Sequence, residues 1–334
     1  LREAEKPKLA ASYFVLASAA ILLTRLNGGV ALLWIANAPL LALLCRGSGT
    51  GHRRSALLWA TPASIAASTL FGPVPWAAPF LATASIIEAM VGAVLLRRFL
   101  GDCDFFGSAR SVALFTAIAG VIAPMISALI GATIAFLAMH KPWGATYLDW
   151  AVGHGLGTLI ATPMVLLLVD SDRKTWGRQL LSQLAGQGGV LLAAVALVTA
   201  GVFWQDRMPL LFLPALPILL ATFKLGRPGA ALSIVLVALI GGIATAFGRG
   251  PITMTGFHQV GQFQFFQLYL VATFLLSLPV AGALGQRDEL LRALENSETR
   301  HRRIVERSQD IIFEADAAGR WTFLSEAWAR LTGR

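Results

Sequence analysis

Residues 263–310 decide the fold, because FQFFQLYLVATFLLSLPVAGALGQRDELLRALENSETRHRRIVERSQD passes directly from an apolar stretch into a charged one. The apolar part is long enough to cross a bilayer as a helix. Six residues of the charged part recur at alternating four- and three-residue spacing, which places them on one seam of a helix. They are Leu290, Leu294, Ser297, His301, Ile304 and Ser308. Because half of the seam is polar, it predicts a weak, adjustable coiled coil in a homodimer, and the alternative is a solvated linker helix. If the homodimer forms, the residues predicted to relay the signal are Leu290, Leu294, His301 and Ile304.

The composition excludes a chain made mainly of soluble domains. Of the 334 residues, 56% are hydrophobic and 13% are charged, and the mean hydropathy is +0.68. The formal charge of +9 comes from Lys and Arg in short clusters between apolar runs, which is typical of membrane orientation and not of nucleic-acid binding. We therefore expect a polytopic membrane protein whose surroundings are the lipid bilayer.

Ten apolar runs are near the length of about 20 residues that a membrane helix requires. They are 9–26, 29–45, 55–71, 77–96, 111–138, 147–169, 187–204, 209–223, 229–247 and 264–284. The run over 111–138 contains Pro124 and is predicted to tilt or kink, and the run over 209–223 is short and contains three prolines. The sequence thus predicts an all-α protein with about ten, or eight to ten, transmembrane helices.

The basic residues orient these helices. Fourteen Lys and Arg fall on one side of the predicted spans and four on the other, so both termini are predicted to be cytoplasmic at a bacterial inner (plasma) membrane. The first run is followed by Arg25 and a second span, and we expect it to stay as an anchor. Cys45 and Cys103 are predicted at cytoplasmic helix ends, where thiols stay reduced, so neither a disulfide nor a cysteine metal site is expected.

Five residues in or near the spans are candidates for a ligand-binding site. Ionisable side chains inside a membrane cost several kcal/mol, roughly, and are therefore functional candidates. Glu88 is about halfway along the fourth span, and His154 is in the outer half of the sixth, with Asp149 preceding it. Asn37 and Trp34 are in the second span. We expect a pocket with Trp34 as a wall and the other four as polar contacts.

Two other interpretations of these residues stay open. Glu88 and His154 can hold helices together without binding anything, and Gly153 and Gly157 have the spacing of close helix contacts. Haem is an alternative, because His140, His154 and His258 all fall on the outer half, although no spacing supports it. No cofactor and no metal site are otherwise expected, and the absence of catalytic motifs predicts that this span is not an enzyme.

The composition changes after Ser308. DIIFEAD and RWTFLS alternate apolar and polar residues around Ala317-Ala318-Gly319, and EAWARLTGR has helical periodicity. The pattern predicts a β-hairpin followed by a helix. So few residues cannot bury a core alone, and we expect the soluble domain to continue beyond Arg334.

Three strings of the membrane part resemble the MASE-one family of membrane-associated sensor domains. They are GGVALLWIANAPLLALL (28–44), IIEAMVGAVLLRRFLG (86–101) and YLDWAVGHGLGTLIATPMVLLL (147–168). Where the family pattern has an acidic residue after the first Gly of the third string, this chain has His154, so that residue's chemistry is not carried over. The resemblance covers about residues 9–284 and implies a sensory domain.

SQDIIFEADAAGRWTFLSEAWARLTGR (308–334) resembles the start of an α/β PAS domain. Together the resemblances imply an integral-membrane sensory domain (1–285), a signalling helix (286–309) and a PAS fragment (310–334). They also imply an output domain for cyclic di-GMP synthesis or hydrolysis, or a histidine kinase, outside this sequence, so that the full-length protein is an enzyme. The stimulus is expected to be a small ligand or a membrane-protein partner. The alternatives are a secondary transporter and a scaffold that docks another membrane protein.

Overall fold

The computed structural model describes residues 6–24, 31–46, 49–101, 105–106, 108–169, 185–307 and 310–333. The chain divides into two compact units, 1–284 and 285–334. The helices of the first unit, in chain order, are α1 (Lys6–Thr24), α2 (Asn37–Arg46), α3 (Thr50–Phe71), α4 (Ala78–Leu100), α5 (Ala109–Ala117), α6 (Ala123–Met139), α7 (Trp143–Val169), α8 (Gln187–Phe203), α9 (Ala215–Leu225), α10 (Arg227–Ala246) and α11 (Gln259–Arg307). The last of these continues into the second unit.

Small residues bring these helices together. The buried face of α4 includes Ala82, Ala89, Gly92 and Ala93, and other helices bury similar rows of Ala, Gly and Ser. Such residues let helix backbones approach closely where hydrocarbon surrounds the bundle and gives no hydrophobic advantage to helix contact. Helix α1 packs on α3, α4 packs on α2, α3 and α6, α6 packs on α7, and α8, α9 and α10 pack on one another.

Among the described residues, five helical segments are long and apolar enough to cross a membrane. They are Lys6–Thr24, Pro75–Leu100, Ala109–Met139, Arg227–Ala246 and Gln259–Val305. Two shorter apolar helices, α8 and α9, accompany them. The structure thus has a predominantly helical membrane domain, as the sequence predicts.

The predicted second span is interrupted. Residues 31–36 are extended, and the helix begins only at Asn37. Backbone groups of this extended segment bond to partners distant in sequence: Leu32 N donates to Thr24 O (3.2 Å) and Trp34 N donates to Gly153 O (3.0 Å). Non-helical backbone is tolerated at membrane depth where protein supplies such partners. The run over 209–223 also differs from the prediction, because its helix begins at Ala215.

The helix over 109–139 changes its winding next to Pro124. Residues Ile118–Ile122 form a π-helical turn between α5 and α6. Pro124 has no N–H to donate to the carbonyl four residues earlier, and a wider turn is one way to accommodate that loss. The irregularity predicted at this proline is therefore present as a π-turn.

The second unit contains the charged end of α11, a hairpin and a short helix. Strands β1 (Phe313–Ala315) and β2 (Trp321–Leu324) are antiparallel, with Phe313 opposite Leu324 and Glu314 opposite Phe323. Helix α12 (Glu326–Thr332) follows. Asp316 closes the hairpin turn by accepting hydrogen bonds from the backbone N–H of Ala318 and of Arg320, each at 2.9 Å. The predicted strand, turn and helix order is observed.

Candidate functional site

A carboxylate at the centre of the first unit organises a buried polar network. Glu88, on α4, is 3% exposed. Its Oε1 accepts a hydrogen bond from Asn37 Nδ2 at 2.8 Å, and its Oε2 accepts one from Ser127 Oγ at 2.7 Å. His154 Nδ1 lies 2.6 Å from the same Oε2. Two hydrogen-bond donors and the His154 imidazole surround this carboxyl group, and together they offset much of the cost of burying it.

A second layer of hydrogen bonds orients the donors. Tyr13 OH and Trp34 Nε1 both donate to Asn37 Oδ1, at 2.8 and 3.3 Å. Trp150 Nε1 donates to Ser127 Oγ at 3.0 Å, which leaves the Ser127 hydroxyl proton for the carboxylate. The network therefore joins α1, the 31–36 segment, α2, α4, α6 and α7 through a single acidic side chain.

The imidazole of His154 lies between two indoles. Its ring centroid is 5.3 Å from that of Trp34, with 6° between the planes, and 4.3 Å from that of Trp150, with 19° between the planes. His154 is 2% exposed. Stacking on both faces and the bond to Glu88 fix the orientation of the ring, so that its two nitrogens have separate surroundings.

Glycines on α7 allow the extended segment to approach. A Cβ atom at Gly157 would lie 2.0 Å from Trp34 O, and one at Gly153 would lie 2.5 Å from Leu32 O. Real Cβ atoms do not come this close to backbone oxygens, so any larger residue would push the segment away. The glycines of α7 thus permit close contact with the backbone of residues 31–36, which is not helical. The sequence had suggested close contact with another helix.

A cleft opens beside the imidazole. The space between its lining atoms is about 480 Å³, with the open solvent at its mouth included. Its walls come from the C-terminal ends of α1, α3 and α6 and the N-terminal halves of α4 and α7. The lining residues are Ile21, Ala31, Trp34, Ser68, Gly72, Pro73, Leu81, Ser85, Met139, Trp150 and His154. This set is mainly apolar.

A smaller void is lined by Glu88. The space between its lining atoms is about 190 Å³, open solvent included, and Asn37, Glu88 and Thr158 are among its lining residues. The Thr158 hydroxyl is buried and makes no hydrogen bond to another described residue. Glu88 therefore lines this void, whereas its partner His154 lines the cleft.

The structure brings four of the five predicted site residues together: Trp34, Asn37, Glu88 and His154. Asp149 is separate. Its Oδ1 accepts a hydrogen bond from Gln264 Nε2 of α11 at 2.7 Å in an exposed position, and Asp149 does not line the cleft.

Three members of the network were not predicted as site residues. They are Tyr13, Ser127 and Trp150. Ser127 is one helical turn after Pro124. Its hydroxyl group inside an apolar span is a sequence signal that could have identified it as a site residue. Trp150 is near the start of a predicted span, where tryptophans are common at the membrane interface, so the sequence gives no separate signal for it.

The histidines of the haem alternative do not meet. His140 and His258 are exposed and do not line the cleft that contains His154. In the part of the chain that the structure describes, no three His, Cys, Asp or Glu side chains are grouped as metal ligands require. Cys45 is a buried thiol, and Cys103 lies outside the described residues.

The extended segment also contacts α11. Gln267 Nε2 donates a hydrogen bond to Leu32 O, two residues before Trp34 in the cleft wall. Gln267 is buried. Residues 31–36 and α11 are thus joined through one backbone carbonyl.

Together the fold and the site define a polytopic membrane domain with an interior polar network beside a cleft. The family model named MASE1, the MASE-one family introduced above, matches residues 8–288, and the chain belongs to this family. MASE1 is a membrane sensory domain of signalling proteins and is not catalytic. Comparison with curated proteins and with solved structures found no match.

Proposed function

We propose that this chain is the input domain of a bacterial signalling protein, in which a small ligand bound in the cleft changes the position of α11. The observation that carries the proposal is the position of residues 31–36. This segment supplies Trp34 to the cleft and to the His154 stack, and it bonds to Gln267 on α11. The ligand site and the output helix therefore share one backbone segment.

A ligand shifts a conformational equilibrium only if it binds two states unequally. Trp34 meets this requirement, because a molecule in the cleft contacts its indole directly. Residues 31–36 are held by single hydrogen bonds and by contacts with glycines. A helix, in contrast, is held by a continuous series of its own backbone hydrogen bonds. We infer that this segment is the element with two arrangements.

Helix α11 carries the change toward the second unit as part of a homodimer. Leu290, Leu294 and Ile304 are 64%, 66% and 60% exposed in the single chain. These residues share the predicted seam, and a second copy of the chain would cover them as in a weak coiled coil. The side chain of His301, the fourth predicted relay residue, lies outside the described residues.

The receiving domain is proposed to be a PAS domain followed by an enzymatic output domain, for cyclic di-GMP turnover or histidine phosphorylation. The hairpin β1–β2 and helix α12 support the first part of this proposal, because they follow α11 in the order that the sequence pattern predicts. Both termini are proposed to be cytoplasmic, at the inner membrane, from the distribution of Lys and Arg.

Disulfide cross-linking tests the relay. Leu294→Cys, in full-chain protein with Cys45 and Cys103 replaced by Ala, should cross-link between two copies in membranes. Adding Glu88→Gln with His154→Phe should change the cross-linking yield at least twofold, because the stack that positions Trp34 is altered. Thr69→Val, at an exposed lipid-facing position of α3, is the control. An unchanged yield in the double substitution would refute coupling between the site and α11.

A further inference from the structure

We propose that the cleft binds a neutral, mainly apolar molecule with a carbonyl oxygen, of the quinone class, and that His154 Nε2–H donates a hydrogen bond to that oxygen. The inference rests on the proposed function, because it names the ligand of the same cleft. Two features support the inference: the number of protons that the Glu88–His154 pair holds, and the apolar, uncharged character of the residues that line the cleft.

One proton lies between His154 Nδ1 and Glu88 Oε2, which are 2.6 Å apart. Whichever atom holds that proton, an uncharged pair requires a second proton on Nε2. Without it the pair would carry a net negative charge, which is unfavourable for a buried site in a membrane. Among the residues described, neither the cleft nor the void beside Glu88 has a lining Lys or Arg to balance such a charge. Nε2 is therefore a donor.

The Nε2–H group is on the edge of the imidazole that is turned away from Glu88. Nδ1 is turned toward Glu88, and His154 itself lines the cleft. In the described part of the chain, Nε2 has no hydrogen-bond partner of its own. A buried donor held rigidly by two indoles is ready to bind an acceptor atom of a ligand without reorganisation.

The rest of the wall selects a neutral, apolar molecule. Ile21, Leu81, Pro73 and Met139 supply aliphatic surface, and the indoles of Trp34 and Trp150 supply aromatic surface. Ser68 and Ser85 are the other polar residues of the lining. A carboxylate ligand would place an uncompensated negative charge beside a neutral pair, whereas a carbonyl accepts the hydrogen bond and leaves the site uncharged. Membrane-dissolved quinones combine a flat apolar ring with such carbonyls.

Thermal unfolding of the full chain in nanodiscs tests this inference with three probes of matched chain length. They are decylubiquinone, decylbenzene and 4-decylbenzoate. Decylubiquinone should raise the midpoint of unfolding with a saturable dependence on concentration, because it binds the folded state. The hydrocarbon and the carboxylate should not. An equal rise with either of them would overturn the inference.

Two variants locate the effect. Leu81→Trp adds bulk at a half-buried residue of the cleft lining that makes none of the hydrogen bonds of the network, and it should abolish the saturable rise. Val94→Trp, on the exposed face of the same helix, should retain it. The double substitution Glu88→Gln with His154→Phe should weaken the response about tenfold, as expected for one lost hydrogen bond. Retention of the full response in Leu81→Trp would place the probe elsewhere and refute the site.

The two proposals fail separately. If Leu294→Cys cross-linking responds to the Glu88 and His154 substitutions but decylubiquinone has no effect, the relay stands and the ligand class is wrong. If decylubiquinone binds and the cross-linking does not respond, the cleft is a binding site without coupling to α11.

Discussion

At the scale of single residues, the stability of the membrane domain depends on keeping Glu88 fully bonded. A buried charge that loses its partner costs more than the intact pair contributes, because its desolvation is no longer compensated. The three partners of Glu88 come from three helices, so the loss of any one also releases a helix contact. The Glu88–His154 pair therefore stabilises the contacts among these helices, and His154 is also part of the cleft wall.

His154→Phe should destabilise the protein by about 3–5 kcal/mol, because it leaves Glu88 without its imidazole partner. Adding Glu88→Gln should restore much of this loss, because the remaining amide is neutral and the phenyl ring still fills the space between the indoles. Unfolding in detergent, followed by near-UV circular dichroism, measures both effects. Additive losses in the double variant would show that the two side chains are not coupled.

Gly157→Ala should destabilise the domain by about 1–3 kcal/mol, because its methyl group would overlap Trp34 O. Gly144→Ala is the matched control on the same helix, since a Cβ there meets nothing within 4 Å. We expect the control to be neutral or slightly stabilising. Equal midpoints of thermal unfolding for the two variants would contradict the packing of residues 31–36 against α7.

The sequence predicted Trp34, Asn37, Glu88 and His154 as site residues because polar groups within apolar spans are rare and costly. It also predicted Asp149, which the structure places elsewhere. Asp149 precedes His154 by five residues, about 140° around the helix, so the two side chains leave α7 on different faces. The rarity of polar groups in apolar spans identifies candidate site residues. The rotation of each helix about its axis determines which of their side chains come into contact.

At the scale of elements, the extended segment 31–36 links the cleft to α11. Its backbone groups bond to Thr24 at the end of α1 and to Gly153 and Gln267, which are distant in sequence. An element held in this way moves more easily than a helix, because few bonds must change.

Gln267→Leu should disconnect the segment from α11 at a cost of about 1 kcal/mol in stability. The Leu294→Cys cross-linking yield should then no longer respond to substitution of Glu88 and His154. Gln262→Leu is the control, because Gln262 is only half-buried on the same helix and donates a hydrogen bond locally to Phe257 O. A full response in Gln267→Leu would show that coupling takes another route.

The hairpin of the second unit should lose stability in acid. The backbone N–H of Arg320 is the first of the hydrogen bonds that hold the pKa of Asp316 below its ordinary value of 3.8; the Arg320 side chain and the Ala318 backbone add to it. The folded hairpin thus binds the proton less readily, so this stabilisation is complete above pH 3.8 and is lost as pH falls through the lower, folded pKa.

Amide exchange over residues 313–324, corrected for its intrinsic pH dependence, measures this loss. Asp316→Asn should remove the pH dependence, and Glu314→Gln, in β1 outside the turn, should retain it. Equal pH dependence in wild type and Asp316→Asn would contradict the role given to the carboxylate.

The elements were predictable where hydropathy alone determines them. The apolar runs became helices in most cases, and α11 continues from the apolar into the charged sequence as its pattern indicates. The break at residues 31–36 was not predictable, because hydropathy gives the length of an apolar run and not its backbone conformation. The bonds that permit the break involve α7 and α11, which the local sequence does not contain.

At the scale of the whole molecule, the chain is a MASE1 membrane domain whose last helix continues into a second unit. We propose that the cleft beside His154 is a ligand site in a dimeric input domain. Its aromatic and apolar wall, its buried donor and its bond to α11 through the Trp34 segment support that claim.

Native mass spectrometry of the purified full chain tests this claim most directly. We expect a dimer in which each chain retains a reproducible added mass of a small neutral organic molecule. Leu81→Trp should lose that mass and Val94→Trp should keep it. A chain that carries no added mass, or one whose added mass is unchanged by Leu81→Trp, would contradict the assignment of the cleft as the ligand site.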